Sequence, residues 1–185
     1  MKFTIPQPLQ DEHEALHERL RQATQAGGEV GEAAKTLARL MHPHFVKEDQ
    51  IALPPLGLLA PLARGEWNAE MAEVLTLTEQ LEAELPQMLA EHQAIVAALN
   101  DLREAAARAG RGEIVAFAET LVEHARTEEE VMYPAAVLVG QVVRQRLGQR
   151  ASAAACGPTA NRETSIPKPG NARSSPISPI RTGLR

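Results

Sequence analysis

Apolar residues recur at helical spacing along most of this 185-residue chain. With about 100° of rotation per residue, they define four amphipathic segments. The segments are predicted to be helices over residues 9–25, 31–52, 69–109 and 113–133. Aromatic residues make up only 3% of the chain, and Ala, Leu, Glu and Arg recur throughout, so helix-forming residues dominate. An all-α fold is therefore predicted.

Glycine and proline mark the ends of the predicted helices. A double glycine at residues 27–28 ends the first helix, and a double proline at residues 54–55 follows the second. Pro86 is expected to divide the third segment into a lead-in helix and a long helix, because proline interrupts the helical hydrogen bonds. Pro134 is expected to begin a kink or a restart that carries helix on to Leu147.

The connections between the helices predict how the helices are arranged. Most are short and polar, which favours antiparallel neighbours and an up-down-up-down four-helix bundle. The stretch from Pro54 to Trp67 is rich in proline and glycine but too apolar to be a free linker. A partly buried loop or a short helical turn is expected there.

The composition changes at residue 151. From residue 151 to 185, Ser, Pro, Gly, Asn and Arg dominate, and large apolar side chains are scarce. Such a segment cannot bury enough surface to offset the entropy lost on ordering. We predict one metal-binding domain over residues 1–150 and a disordered tail over residues 151–185. The basic side chains of the tail are either an arm for a protein partner or an incidental solvated end.

The predicted domain is acidic. The tail holds five of the 19 basic side chains and one of the 24 acidic ones, so residues 1–150 hold 14 basic and 23 acidic side chains. This balance suits cations and disfavours nucleic acid, which is bound through Lys and Arg. No apolar run approaches the ~18 residues that span a membrane, and the N-terminus lacks the features of a signal peptide. A cytoplasmic protein that binds neither nucleic acid nor membrane is expected.

Each predicted helix carries a histidine on its apolar face, and two of the helices carry a glutamate there as well. These inward-facing residues are His13, His44, Glu48, His92, His124 and Glu128. The apolar residues that define the faces include Leu40 on the second helix and Val131 on the fourth. Burying a polar group without a partner costs on the order of 2–7 kcal/mol, and an ionised carboxylate costs more. These side chains therefore need a compensating partner.

A metal cation is a suitable partner, because it binds neutral imidazole and carboxylate together. Residues His44 and Glu48 are four apart, as are His124 and Glu128, so each pair stacks on one helix face. Cys156 is the only cysteine, which leaves nitrogen and oxygen ligands. Six ligands exceed the needs of one tetrahedral ion and suit two octahedral ions when both carboxylates bridge. The pattern predicts two metal ions with an open coordination position.

The remaining histidines and nearby acids have other expected roles. His17, one turn after His13, is a possible additional ligand, a partner of a ligand or a boundary residue. His42 projects roughly 140° from the apolar face of its helix and is predicted to be solvated. Glu129 and Glu130 are predicted to face solvent.

These motifs resemble the hemerythrin-like family, also called the HHE cation-binding domain. The matching motifs are Glu12-His13 with Leu16, His44 to Glu48 followed by Leu53-Pro54, Glu91-His92, and His124 to Glu130 with Tyr133-Pro134. The resemblance covers about residues 9–140 and implies a left-handed four-helix bundle with a carboxylate-bridged, non-haem di-iron centre. It implies terminal ligands at His13, His44, His92 and His124, and bridging ligands at Glu48 and Glu128.

Two positions bear on that expectation. Oxygen-carrying hemerythrins have a further histidine one turn after the third-helix ligand, where this chain has Val96. The resemblance therefore implies that one iron lacks a nitrogen donor unless His17 or solvent supplies it. Pro43, directly before His44, is expected to remove a backbone hydrogen bond and bend its helix near the site.

We therefore expect a di-iron protein that binds or senses dioxygen, nitric oxide or peroxide. One alternative is a di-iron redox enzyme that reduces peroxide, and another is an iron-handling or regulatory protein whose tail contacts a partner. Nothing in the sequence indicates a substrate pocket or a proton relay, so binding is favoured over catalysis. Zinc or manganese is chemically compatible with the same ligands but less favoured than two iron ions.

Overall fold

The computed structural model describes residues 3–155, and these residues form helices and no strand. The α-helices are α1 (Gln7–Thr24), α2 (Gly28–Lys47), α3 (Leu59–Ala63), α4 (Val74–Arg108), α5 (Gly112–Thr127) and α6 (Tyr133–Ala155). The all-α prediction is confirmed. Within residues 3–155, none of these helices combines the length and the apolar character that crossing a membrane requires.

Four helices contact one another in a closed circuit. Helix α1 packs on α2, α2 on α4, α4 on α5, and α5 on α1, while α6 packs on α4. The two larger of three buried apolar clusters among the described residues fill the interior of this helical bundle. One includes Leu20, Leu37, Phe45, Leu99, Phe117 and Leu121, and the other includes Leu53, Leu81, Met88, Tyr133 and Ala136. Each buried large side chain contributes about 1.5–3 kcal/mol. The predicted histidines lie on the four helices of the circuit.

Left-handed glycines shape two of the turns between these helices. Gly27 has φ of 71° and follows α1, and Gly110 has φ of 67° and follows α4. Side chains rarely adopt this conformation, so glycine suits both positions. After Gly110, the Arg111 amide donates to the Ala106 carbonyl at 2.9 Å, which closes the end of α4. The predicted helix ends at both positions are confirmed.

Two π-helical turns interrupt the regular helices at Glu48–Ala52 and Glu128–Met132. In the second turn the Tyr133 amide donates to the Glu128 carbonyl, so five residues complete the turn. The longer turn changes the direction in which the side chains after Glu128 point, relative to a regular α-helix. Val131, predicted on the buried face, is 59% exposed, whereas Tyr133 is fully buried. The prediction for Val131 was wrong because it assumed regular α-helical rotation.

Two other expectations about individual helices were also wrong. Pro86 lies inside the continuous helix α4 and does not divide it. Leu81 and Met88, on either side of Pro86, pack in the same apolar cluster, and this packing offsets the interrupted hydrogen bond. Leu40 is 37% exposed, because it lies at the edge of the buried face that Leu37 and Met41 define.

The stretch after the first π turn is short helical structure, as predicted. A 3₁₀ turn spans Pro54–Leu58, the helix α3 follows, and a second 3₁₀ turn spans Ala69–Glu73. Pro54, Pro55 and Leu58 are buried, which agrees with the expectation of a partly buried connection.

Helix α6 packs closely against α4 at one glycine. A Cβ atom on Gly140 would lie 2.3 Å from Oγ1 of Thr78, so a side chain has no room there. The helix continues past the predicted boundary at residue 150, and Ala155 is the last residue that the structure describes. Residues 156–185, which make up most of the predicted tail, lie outside the described residues. The predicted domain division and the disorder of the tail stay predictions.

Candidate metal centre

The six side chains predicted to face inward meet in one buried polar layer. Each is at most 5% exposed: His13, His44, Glu48, His92, His124 and Glu128. Along α2 and the π turn that follows it, Met41 and Phe45 pack in the first apolar cluster and Ala52 in the second, with Glu48 between them. Along α4, Ile95 and Met88 flank His92 in the same way. The polar layer therefore separates the two apolar clusters and is almost fully buried.

The donor atoms of this layer form two groups. The His44 group contains His44, Glu48, His92 and Glu128, and the His13 group contains His13, His124 and Glu128. Within each group, one donor atom from each residue lies within 4.8 Å of all the others. Both groups could hold a metal ion, and Glu128 belongs to both.

Glu128 directs one oxygen towards each group. Its Oε1 lies 2.8 Å from His124 Nε2 and 3.3 Å from His13 Nε2, both in the His13 group. Its Oε2 lies 3.4 Å from His92 Nε2 in the His44 group. Glu128 therefore offers one carboxylate oxygen to each donor group.

Glu48 divides its oxygens in a similar way. Its Oε1 lies 3.1 Å from His44 Nε2, and its Oε2 lies 4.0 Å from His13 Nε2. Among the described residues, the buried Oε2 atom has no hydrogen-bond partner. An unsatisfied carboxylate oxygen in an apolar interior is costly, and a cation would compensate it. The donor set therefore fits a pair of bridged metal ions.

The charge state of the imidazoles also reflects the shared carboxylates. Burial lowers the pKa of His92, but hydrogen bonds to Glu128 and Glu48 outweigh it and raise the pKa to about 10. The pKa values of His44 and His124 are also raised, because hydrogen bonds to the glutamates exceed the effect of burial. Burial raises the pKa of Glu128, but hydrogen bonds with the histidines hold it well below its usual range. In the metal-free protein, protons on the imidazoles therefore balance the negative charge of the glutamates, which a bound cation would otherwise balance.

The comparison with known families agrees with this geometry. The sequence model of the hemerythrin HHE cation-binding domain matches residues 4–136. The chain belongs to this hemerythrin family. No curated protein and no solved structure matches it. The matched residues include the whole polar layer of this hemerythrin domain, so the buried His and Glu side chains belong to a cation-binding fold.

A second set of carboxylates surrounds the histidines of the hemerythrin domain. His44 Nδ1 lies 2.8 Å from Glu91, His92 Nδ1 lies 2.8 Å from Glu129, and His124 Nδ1 lies 3.2 Å from Glu12. His13 Nδ1 lies 3.4 Å from Asp49 Oδ1, without the geometry of a hydrogen bond. An imidazole that donates Nδ1–H outward leaves its Nε2 lone pair for a metal. We call Glu12, Asp49, Glu91 and Glu129 the outer carboxylates.

The outer carboxylates form a ring around the bundle. The histidine of α1 faces the π turn after α2, and that of α2 faces α4. The histidine of α4 faces the π turn after α5, and that of α5 faces α1. His44, His92 and His124 are therefore oriented by hydrogen bonds to the next element of the circuit, whereas His13 only lies near its acidic neighbour. Glu129 was predicted to face solvent, and its side chain is indeed 40% exposed, but it also contacts His92.

An internal repeat in the sequence could have revealed the outer carboxylates. The first half contains Glu12-His13, then His44-x-x-x-Glu48-Asp49, then Leu53-Pro54; the second contains Glu91-His92, then His124-x-x-x-Glu128-Glu129, then Tyr133-Pro134. Every outer carboxylate is the sequence neighbour of a residue in the polar layer. The repeat also pairs Leu53 with Tyr133. Tyr133 was not among the predicted site residues.

Tyr133 reaches the polar layer from the start of α6. Its hydroxyl donates to Glu48 Oε1 and lies 3.3 Å from His92 Nε2 and 3.5 Å from His44 Nε2. Regular α-helical rotation would place Tyr133 about 140° away from Glu128. The π turn between these two residues brings both side chains to the same site.

The remaining sequence candidates lie apart from the two donor groups. His17 is half-buried, and its ring lies 4.3 Å from that of Phe45, centroid to centroid. It belongs to neither group, and burial together with the nearby His13 lowers its pKa. His42 is exposed, as predicted. Val96 is half-buried and lines a surface groove with Asn100.

Proposed function

We propose that this hemerythrin domain is a non-haem di-iron protein that binds or senses dioxygen, nitric oxide or peroxide. The observation that carries the proposal is the division of the Glu48 and Glu128 oxygens between two groups of imidazoles. A single ion would leave the imidazoles of one group without a cation. Two bridged irons would satisfy both groups and would supply redox chemistry towards small oxidants.

Each residue of the polar layer has a role in this proposal. Terminal ligands would be His13, His44, His92 and His124, and bridging ligands would be Glu48 and Glu128. We also propose that the helices form an up-down-up-down, left-handed bundle. The closed circuit of contacts from α1 through α2, α4 and α5 supports the bundle, and the resemblance to hemerythrins implies its handedness.

The surroundings of the site favour a small, neutral ligand. A cavity beside the polar layer has room for about one water-sized molecule. It is lined by Met41, Ile95, Leu121 and Ala125 together with His44, His92, His124 and Glu128. The apolar residues would exclude larger polar substrates, whereas dioxygen and nitric oxide match both the size and the polarity of the cavity.

A surface groove reaches the other side of the site. Gln10, Glu14 and Asp49 line it together with Phe3, Thr4, Ile5 and Pro54, and it extends to His13. Protons or water could enter here without crossing the apolar cavity. In the proposed protein, the groove would exchange protons with solvent while the cavity admits the neutral ligand.

The test is anaerobic purification of the full chain with metal analysis, followed by optical spectra after adding dioxygen, nitric oxide or peroxide. We expect two irons per chain and a spectral change with at least one of these molecules. A reversible dioxygen spectrum would indicate carriage, rapid autoxidation would indicate sensing, and peroxide turnover would indicate a redox enzyme. Zinc as the only bound metal would contradict the proposal.

Variants of the ligands test which residues hold the metal. His44→Ala and His124→Ala should each lose iron, because each removes a donor from one of the two groups. His42→Ala is the matched control, since His42 is exposed on the same helix as His44 and should leave the iron content unchanged. Full metal retention by both His44→Ala and His124→Ala would reject the ligand assignment.

A further inference from the structure

We propose that Tyr133 is a seventh metal donor, which binds the ion of the His44 group through its hydroxyl oxygen. This inference rests on the proposed di-iron function and adds to it, because it makes the two metal positions chemically different. The ion of the His44 group would gain an oxygen donor that the ion of the His13 group lacks.

The position of the hydroxyl supports the proposal. Its three polar neighbours are Glu48 Oε1, His92 Nε2 at 3.3 Å and His44 Nε2 at 3.5 Å. All three belong to residues of the His44 group. The tyrosine side chain is fully buried, so water does not compete for its oxygen. Tyr133 Oη is therefore placed among the atoms that would surround one ion.

The number of hydrogens on His44, His92 and Tyr133 also supports a cation at this position. With neutral imidazoles, His44 and His92 donate their Nδ1–H groups outward to Glu91 and Glu129. Their Nε2 lone pairs then face Tyr133, which has one hydrogen and donates it to Glu48. Once the imidazole protons of the metal-free protein have been released, as metal binding requires, lone pairs from two nitrogens and the phenol oxygen converge with no hydrogen between them. A cation at their centre would bind all of these atoms, and the hydroxyl proton would leave to solvent as the metal binds.

The internal repeat shows that this donor is present in one half of the chain and absent from the other. Glu48 and Glu128 occupy equivalent positions, and each begins a π turn. The residue five positions later is Leu53 in the first half and Tyr133 in the second. Leucine has no donor atom, so the repeat supplies one phenol to the site. The His44 group would then present five protein donors, counting one oxygen from each glutamate.

Spectroscopy of the iron-loaded full chain tests the inference. Tyrosinate bound to ferric iron gives a charge-transfer absorption in the visible range and matching resonance Raman bands of the phenolate ring. The chain contains a single tyrosine, so such a signature can come only from Tyr133. We expect the signature in the ferric protein and its complete loss in Tyr133→Phe, which removes only the hydroxyl oxygen.

Iron content and iron release separate the possible results. Tyr133→Phe should still bind two irons, but one of them should be released to a chelator faster than in the unmodified chain. Tyr133→Leu, which copies the residue at position 53, should behave in the same way. Wild-type protein that binds two irons without a tyrosinate signature would overturn the role of Tyr133 and leave the proposed function standing. Wild-type protein that binds no iron would overturn both.

The wild-type measurement does not depend on the folding of either variant. A band that persists in Tyr133→Phe would also count against the inference, because it would have to arise from another ligand. The inference is supported only when the band is present in the wild type and absent from every folded variant without the hydroxyl.

Discussion

His92 and Glu129 lie on different helical segments, yet His92 Nδ1 is 2.8 Å from Glu129 Oε1. The carboxylate accepts the Nδ1–H hydrogen bond, fixes the tautomer of the imidazole and directs Nε2 into the polar layer. A metal-binding histidine with such a partner is a stronger donor, because the carboxylate stabilises positive charge on the ring. The same relationship joins His44 to Glu91, whose carboxylate also accepts from Lys47 at 2.9 Å.

Removing the charge of Glu129 should weaken metal binding without removing a ligand. Glu129→Gln keeps the shape of the side chain but loses the negative charge, and we expect iron affinity to fall about 10- to 100-fold. Competition with a chelator of known affinity measures this change. Glu130→Gln is the matched control, since the exposed Glu130 bonds to Arg126 on the surface. Equal affinities for the two variants would refute an orienting role for Glu129.

The sequence was sufficient to find the polar layer, for an energetic reason. His13, His44, His92 and His124 lie on apolar stripes, where a buried imidazole without a partner is costly, so their positions alone indicate a shared site. The outer carboxylates are harder to find. Glu12 and Glu129 are largely exposed, and their role depends on which helix lies beside them, which no single helical pattern specifies.

One wrong prediction, that Val131 is buried, and the failure to place Tyr133 in the site have the same physical source, the rotation of the chain after Glu128. A fixed rotation of about 100° per residue predicts that Val131 is buried and gives no reason to place Tyr133 in the site. The π turn instead exposes Val131 and places the Tyr133 side chain in the site. The expectation for Pro86 fails for a different reason, because local helix propensity does not include the packing of Leu81 and Met88 on either side of it.

The stability of the metal-free protein should depend on pH in a defined window. The pKa of His92 is raised from 6.5 to about 10, so its stabilising effect is complete below pH 6.5 and is lost as the pH rises towards 10. The pKa of Glu128 is lowered from 4.5, so its effect is present above pH 4.5 and is lost as the pH falls. The metal-free chain should therefore be most stable between pH 4.5 and pH 6.5, where both contributions are present.

Thermal unfolding of metal-free and iron-loaded protein across this range checks the prediction. Metal binding requires deprotonated imidazoles, so the iron-loaded protein should not lose stability between pH 6.5 and 10 as the metal-free protein does. A melting temperature of the metal-free protein that stays constant over that interval would show that His92 does not carry the expected proton.

The contact between α6 and α4 leads to a prediction about folding stability. Gly140→Ala would place a Cβ atom 2.3 Å from Thr78 Oγ1, which also donates to the Leu75 carbonyl at 3.2 Å. We expect the free energy of unfolding to fall by about 1–3 kcal/mol, because the helices must separate or Thr78 must move. Denaturant unfolding measures this change.

Gly148→Ala supplies the control for this effect. Gly148 lies on the same helix, and a Cβ atom there meets nothing within 4 Å. Alanine is a better helix former, so this variant should be more stable by roughly 0.5–1 kcal/mol. A stabilised Gly140→Ala variant would mean that α6 does not pack as closely on α4 as the distance to Thr78 requires.

The cavity beside the polar layer allows ligand binding to be separated from metal binding. Ala125 lines the cavity but contributes no donor atom, and Ala125→Val would fill space that the small ligand needs. The added methyl groups should make ligand binding less favourable by about 1–3 kcal/mol, which lowers the affinity for dioxygen or nitric oxide roughly tenfold or more. The iron content should stay at the wild-type value. Ala116→Val on the exposed side of α5 carries the same loss of helix propensity and is the control. Metal analysis and ligand titration of the two variants measure both effects. Unchanged ligand affinity in a folded, iron-loaded Ala125→Val variant would show that the ligand binds outside this cavity.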